Sequence, residues 1–242
     1  FFHAEDGIRD SVASRGLGDV YKRQVYPIYS SYGRASKTTG QDVRTCPGVR
    51  SEVSRWELMA DRVDRTAVAA GVDRPGRDLI GAAMEVARAL RLDVIDDDHH
   101  PDYLHPGRTA VVLFDDVGLA DPLALAATCV LDTRRVDLEP PDREVTANVS
   151  AAVTAFRRAV PRPGSVTLLE DLLASETDII LVALAERLDQ VRHAHMWGDL
   201  AEAREAHQEV SEVYLKMAER THALLATRYA HWCRAFSERY LK

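Results

Sequence analysis

Glu209-Val-Ser-Glu-Val-Tyr-Leu-Lys-Met-Ala-Glu-Arg220 lies in the part of the chain that decides the fold. Val210, Val213, Tyr214 and Met217 recur at three- and four-residue spacing, and Leu224, Leu225, Trp232, Phe236 and Tyr240 carry the stripe onward. That period is one face of an α-helix, and the face must pack on something. Intramolecular core is the favoured cover for it, and a homo-oligomer through these C-terminal helices is the minority alternative. No proline follows Pro163-Gly164, and Gly198 is the only later glycine. Helices over 166–174, 177–195 and 199–240, the last broken near Thr221, are therefore expected.

Working back toward the N-terminus, the pattern stays helical. Ser51 or Ser54 can cap a helix carrying Val53, Trp56, Leu58, Met59, Val63 and Val68, which stops at Gly71. Pro75-Gly76 reads as punctuation, and a helix over 78–92 places Leu79, Ile80, Ala83, Val86, Ala87 and Leu90 on one side. An acidic loop over 93–103 follows. A short helix over 109–114 is expected next, with Pro106 suited to a first turn and Gly118 as the stop. Asp121-Pro122 is a cap followed by a helix-opening proline for 123–131. After a loop over 134–143, a helix over 145–160 ends at Pro161. No segment alternates with period two, so the expected fold class is all-α.

Composition bounds the function. A chain of 242 residues, 46% of them apolar, can bury a substantial core. A net charge of -7 argues against a sequence-independent nucleic-acid or anionic-membrane surface, which needs a basic face. Cys46, Cys129 and Cys233 are odd in number and without a CxxC pair, so neither a disulfide framework nor a zinc knuckle is indicated, and a reducing cytoplasm is the default compartment. The longest apolar run, Ile179 to Ala185, is far short of the roughly 20 residues that span a bilayer. Phe1 to Gln24 resembles translated sequencing-adapter read-through, and 25–50 lacks apolar periodicity. Residues 1–50 are accordingly set aside as artefactual or disordered, leaving 51–242 as one domain.

Three stretches carry the chemistry: Pro101-Asp-Tyr-Leu-His105-Pro106, Cys129-Val-Leu-Asp132-Thr133 and Val182-Ala-Leu-Ala-Glu186-Arg-Leu-Asp-Gln190. Their order resembles the hydrolase half of the bifunctional alarmone synthetase/hydrolases, the Rel/Spo group of HD-domain metal phosphohydrolases. Flanking segments extend the likeness over about 76–242: Ala82 to Ala89, Leu119 to Ala127 and Glu209 to Arg220. The resemblance implies an HD-like helical bundle. It implies His105, Asp132 and Glu186 as ligands of a divalent metal, manganese first, and a small phosphorylated nucleotide as partner. On that account Arg135, or Arg134, is expected to stabilise phosphate charge, and Arg135 and Asp189 are the catalytic candidates.

The departures from the family pattern are specific. Leu131 stands where a second histidine ligand belongs, and Glu186 where the later Asp belongs. The acidic pair after the ligand Asp falls on Arg135 and Val136, Asp189-Gln190 replaces His-Asn, and Asp96-Asp97-Asp98 replaces a basic segment. His99 and His100 sit near enough to serve as further ligands, although a solvated acidic loop is the commoner role. His105 has a capping or core role as its alternative, and Glu186 an ion pair with a neighbouring arginine. His193, His195, His207, His222 and His231 are scattered through amphipathic helices, and Cys129 reads as core. Two functional readings stay open: a metal-dependent hydrolase of a (pyro)phosphorylated nucleotide resembling the (p)ppGpp 3'-pyrophosphohydrolase module, and a degenerate HD scaffold used for nucleotide sensing or protein interaction.

Overall fold

The computed structural model describes residues 55–91 and 102–241, all within one compact unit that spans 51–242. Among the described residues there are helices and turns and no strand, so the fold is all-α. The first helix, α1 (Arg55–Ala69), ends at Gly71, whose φ of 79° is a left-handed stop that glycine adopts without strain.

Helix α2 (Arg74–Ala89) starts earlier than the expected 78. Asp73 caps it by accepting from the Gly76 N–H, and Pro75 occupies the first turn, where its missing N–H costs nothing. Pro75-Gly76 is thus a helix opening and not a break. Gly76 has a packing reason as well: a Cβ there would stand 2.6 Å from Pro122 Cγ. The first turn of α2 lies close against the next helix but one.

His105 opens α3 (His105–Val112), which continues through a π-helical turn, Leu113–Val117, to the left-handed Gly118. Asp121 then caps α4 (Pro122–Cys129) through the Leu123 and Ala124 N–H groups. The loop expected over 134–143 contains a 3₁₀ turn, Val136–Leu138. The helix expected over 145–160 is two: α5 (Asp142–Asn148) and α6 (Ala151–Ala159). Ser150 divides them, because its hydroxyl accepts from the Val153 N–H and its extended backbone starts a new helix.

The C-terminal half comprises α7 (Leu168–Ala174), α8 (Thr177–Arg192), a 3₁₀ turn at Ala194–Met196, α9 (Leu200–Glu209), a second π-helical turn at Val210–Tyr214, α10 (Leu215–Thr221) and α11 (Ala223–Tyr240). The break near Thr221 falls at His222, whose backbone is extended. Helix α8 is the axis: every residue from Ile180 to Val191 is buried. It packs against α3, α4, α9, α10 and α11, while α3 and α4 also touch each other. Val210, Tyr214, Met217, Leu225, Tyr229 and Phe236 from the C-terminal stripe are buried in the same core, and the Tyr229 hydroxyl donates to the Leu184 carbonyl at 2.6 Å. No described helix is long and apolar enough to cross a membrane.

Gly76→Ala is expected to destabilise the protein by about 1–3 kcal/mol, because the new methyl overpacks the α2–α4 contact. Gly81→Ala, at a helical position with nothing within 4 Å of the added Cβ, is expected to be stabilising by roughly 0.5–1 kcal/mol. Urea denaturation of the two variants beside the parent checks the contrast.

Candidate metal centre

The mutual contact of α3, α4 and α8 sets the site. Helix α3 delivers His105 from its first residue and Arg108 one turn later. Helix α8 delivers Glu186 and, one turn later, Asp189. Asp132 comes from the turn that follows α4, after Val130 has closed the helix. Residues far apart in sequence thus meet in the core: His105, Asp132 and Glu186 each offer a ligand atom, and these atoms all lie within 4.8 Å of one another. His105 and Asp132 are 2% exposed and Glu186 1%.

Each member is held by its own bonds. The His105 Nδ1–H donates to Asp189 Oδ2 at 2.8 Å. Arg108 grips the same carboxylate with both arms of its fork, Nε to Oδ1 and Nη2 to Oδ2, each at 2.9 Å. Glu186 accepts from the Thr133 N–H at 2.8 Å, from the Thr133 hydroxyl at 2.7 Å and from the Gln190 amide. An ion pair with a neighbouring arginine is not among these contacts, since Arg187 of the same helix reaches Glu209 instead. Asp132 accepts from the Arg135 N–H and from Arg91 Nη2, both at 2.9 Å. Arg91, 1% exposed, spends its remaining donors on the carbonyls of Ala87, Leu138 and Asp102.

One polar atom is left over. His105 Nε2 is buried, has no hydrogen-bond partner and stands 3.6 Å from Glu186 Oε1. A buried polar atom without a partner costs about 1–3 kcal/mol and requires a reason. An imidazole whose Nδ1 is tied to a carboxylate and whose Nε2 faces two more carboxylates is the arrangement that metal-binding histidines adopt. The donor set therefore fits a divalent ion. Coordination bonds of about 2.0–2.2 Å put opposite ligands up to about 4.4 Å apart, so closure by a few tenths of an ångström completes the fit.

Electrostatics follow from the burial. Burial opposes charge on His105, but Asp132, Asp189 and Glu186 outweigh it and raise the imidazole to about 10. Burial raises the Asp132 carboxyl against the pull of His105 and Arg91. For Asp189, burial is overcome by Arg108 and His105, which hold the carboxyl well below the usual range. His193, at the end of α8, donates from Nδ1 to the Asp189 carbonyl and is lowered to about 4 by burial and by Arg108.

Arg135 lies beside the centre through its backbone, while its guanidinium is held by Asp137 at 2.7 Å and Asp102 at 3.1 Å. Arg134 stacks over Trp197, 4.3 Å from the ring centroid, and pairs with Glu202 at 3.0 Å. Leu131 is wholly buried and packs in the core. Cys129 is likewise buried, its thiol pushed up to about 12, and packs in the core. His207 stacks among Trp232 and Phe236, remote in sequence from the centre. His99, His100 and Asp96-Asp97-Asp98 lie outside the described residues. The sequence reading does not reach Arg91 or Arg108. For Arg108 a signal existed in the matching i, i+3 spacings of His105/Arg108 and Glu186/Asp189, whereas nothing local marks a partner 41 residues from Arg91.

No family model matches the chain, and no curated protein or solved structure matches it either.

Asp132→Ala is expected to cost about 3–5 kcal/mol, since it leaves the buried Arg91 cation without its anion. Chemical denaturation of that variant beside Arg91→Met Asp132→Leu, which removes both charges and is expected to lose less, checks the assignment. His193 supplies a pH signature. Its folded value near 4 lies below the unfolded 6.5, so its contribution is present above pH 6.5 and is lost as pH falls through that window. The loss is on the order of 2 kcal/mol once partial exposure is allowed for. His193→Gln is expected to flatten stability between pH 6.5 and 4, read as the difference in unfolding free energy between variant and parent.

Proposed function

We propose that the protein is a divalent-metal-dependent hydrolase of the HD type, acting on a phosphorylated or pyrophosphorylated nucleotide. The observation that carries the reading is the convergence of three buried side chains, His105, Asp132 and Glu186, whose ligand atoms all lie within 4.8 Å of one another. The order of the three ligands along the chain, which resembles that of the Rel/Spo hydrolase module, supports the same reading. One imidazole and two carboxylates form a mixed donor set that suits manganese or iron, with manganese favoured by the oxygen-rich share.

When bound, such an ion polarises a phosphoryl oxygen and supplies an attacking water at neutral pH. The chain's own residues hold and aim it. His105 presents Nε2 because its Nδ1 proton is committed to Asp189. Thr133 and Gln190 fix the Glu186 carboxylate, so the longer side chain at this position is restrained as firmly as a shorter one. Arg134 and Arg135, two and three residues after Asp132, are the cations to neutralise phosphate charge, after exchange from Asp102, Asp137 and Glu202.

A second reading, a degenerate HD scaffold without turnover that serves nucleotide sensing or protein interaction, draws on the same burial and on the engagement of Arg134 and Arg135 by neighbouring carboxylates. Metal analysis of the purified chain, with pyrophosphate release from guanosine tetraphosphate assayed in added manganese, separates the two. Stoichiometric metal and turnover, both abolished in His105→Ala, is the expected result. A folded protein that releases no pyrophosphate overturns the hydrolase and selects the scaffold, and the clean absence of both metal and turnover does so as well.

A further inference from the structure

The Asp189–Arg108 pair occupies a position that the ligand set alone does not explain. Asp189 is 2% exposed, and burying a carboxylate in a helical core costs several kcal/mol unless it is paired and hydrogen-bonded. Here both of its oxygens are occupied: Oδ2 takes the His105 Nδ1 proton at 2.8 Å, and Arg108 binds Oδ1 and Oδ2 from Nε and Nη2 at 2.9 Å. Two helices contribute matching pairs. On α3 the ligand His105 precedes Arg108 by three residues, and on α8 the ligand Glu186 precedes Asp189 by three. Asp189 bonds both members of the α3 pair, so a single carboxylate fixes the ring orientation of His105 and locks the two ligand-bearing helices in register.

The centre has a single imidazole among its three ligands. A carboxylate behind that imidazole fixes its tautomer, orients Nε2 and increases its basicity as a ligand.

We infer that Asp189, anchored by Arg108, is a positioning residue that makes His105 a strong enough donor for three ligands to hold a divalent ion. Asp189 itself contributes no atom to the ion. The inference rests on the metal centre proposed above and extends it to residues outside the ligand set.

The test titrates the full chain with Mn²⁺ by calorimetry and records the visible absorption of the Co²⁺ complex, for the parent and for Asp189→Asn, Arg108→Leu and Arg108→Lys. Thermal unfolding followed by circular dichroism verifies that each variant is folded. Asp189→Asn is expected to weaken Mn²⁺ binding about 10–100-fold and to shift the Co²⁺ bands. Arg108→Leu is expected to weaken binding by a smaller factor, and Arg108→Lys to restore part of that loss. A folded Asp189→Asn protein that binds Mn²⁺ within twofold of the parent, with unchanged Co²⁺ bands, overturns the positioning role and leaves the metal centre standing. A folded parent that binds neither ion removes the metal centre itself, and the inference falls with it.

Discussion

Asp132, Glu186 and Asp189 carry three carboxylates into a helical core, and each has to be answered there by a cation or by a full set of hydrogen bonds. Arg91 answers Asp132, Arg108 and His105 answer Asp189, and Thr133 with Gln190 answers Glu186. These contacts are what orient α3, the turn after α4, and α8 about one another. Apolar packing alone leaves helices free to slide or rotate at small cost. A buried ionic network leaves one arrangement in which every charge is met, and this is a specificity argument more than a stability one.

The network also defines the centre chemically. Its cations are spent on Asp132 and Asp189, while Glu186 is held by neutral donors and so keeps its charge unneutralised by any arginine. The cation that answers Glu186 is the His105 imidazole, raised to about 10 and 3.6 Å away, so a metal ion bound here would take the place of the imidazolium proton. Helix α8 is buried from Ile180 to Val191, so this exchange takes place in a low-dielectric surrounding where electrostatic interactions are strong.

Much of the architecture is legible in residue pattern because it is written in local signals. Gly71, Gly118 and Asp121-Pro122 end and begin helices where their backbone chemistry says they should, and the C-terminal stripe packs on its 3.6 period. The errors have local causes too. Pro75-Gly76 reads as a break until Asp73 is recognised as the cap, and Ser150 looks like a polar residue inside a helix until its hydroxyl is seen to start a new one. At the centre, the convergence of His105, Asp132 and Glu186 is reachable through the order of three short stretches. The contacts of Arg91 with Asp132 and of Arg108 with Asp189 span 41 and 81 residues, and such pairings arise only when the helices meet.

The two π-helical turns set the angular phase of the residues beyond them. Leu113–Val117 packs on α8 and α11, and its Asp116 meets Arg228 and Arg192. Each such turn holds one residue more than an α-turn would. Excising the extra residue from Leu113–Val117 or Val210–Tyr214 would let that turn close as an ordinary α-turn with the residues beyond it near their present phase, whereas the same excision in a plain α-helical stretch would swing everything downstream by about 100°. These segments act as rotational slack: a single-codon deletion is absorbed there, while one in the α-helical turns beside them would turn acids and aromatics away from their partners.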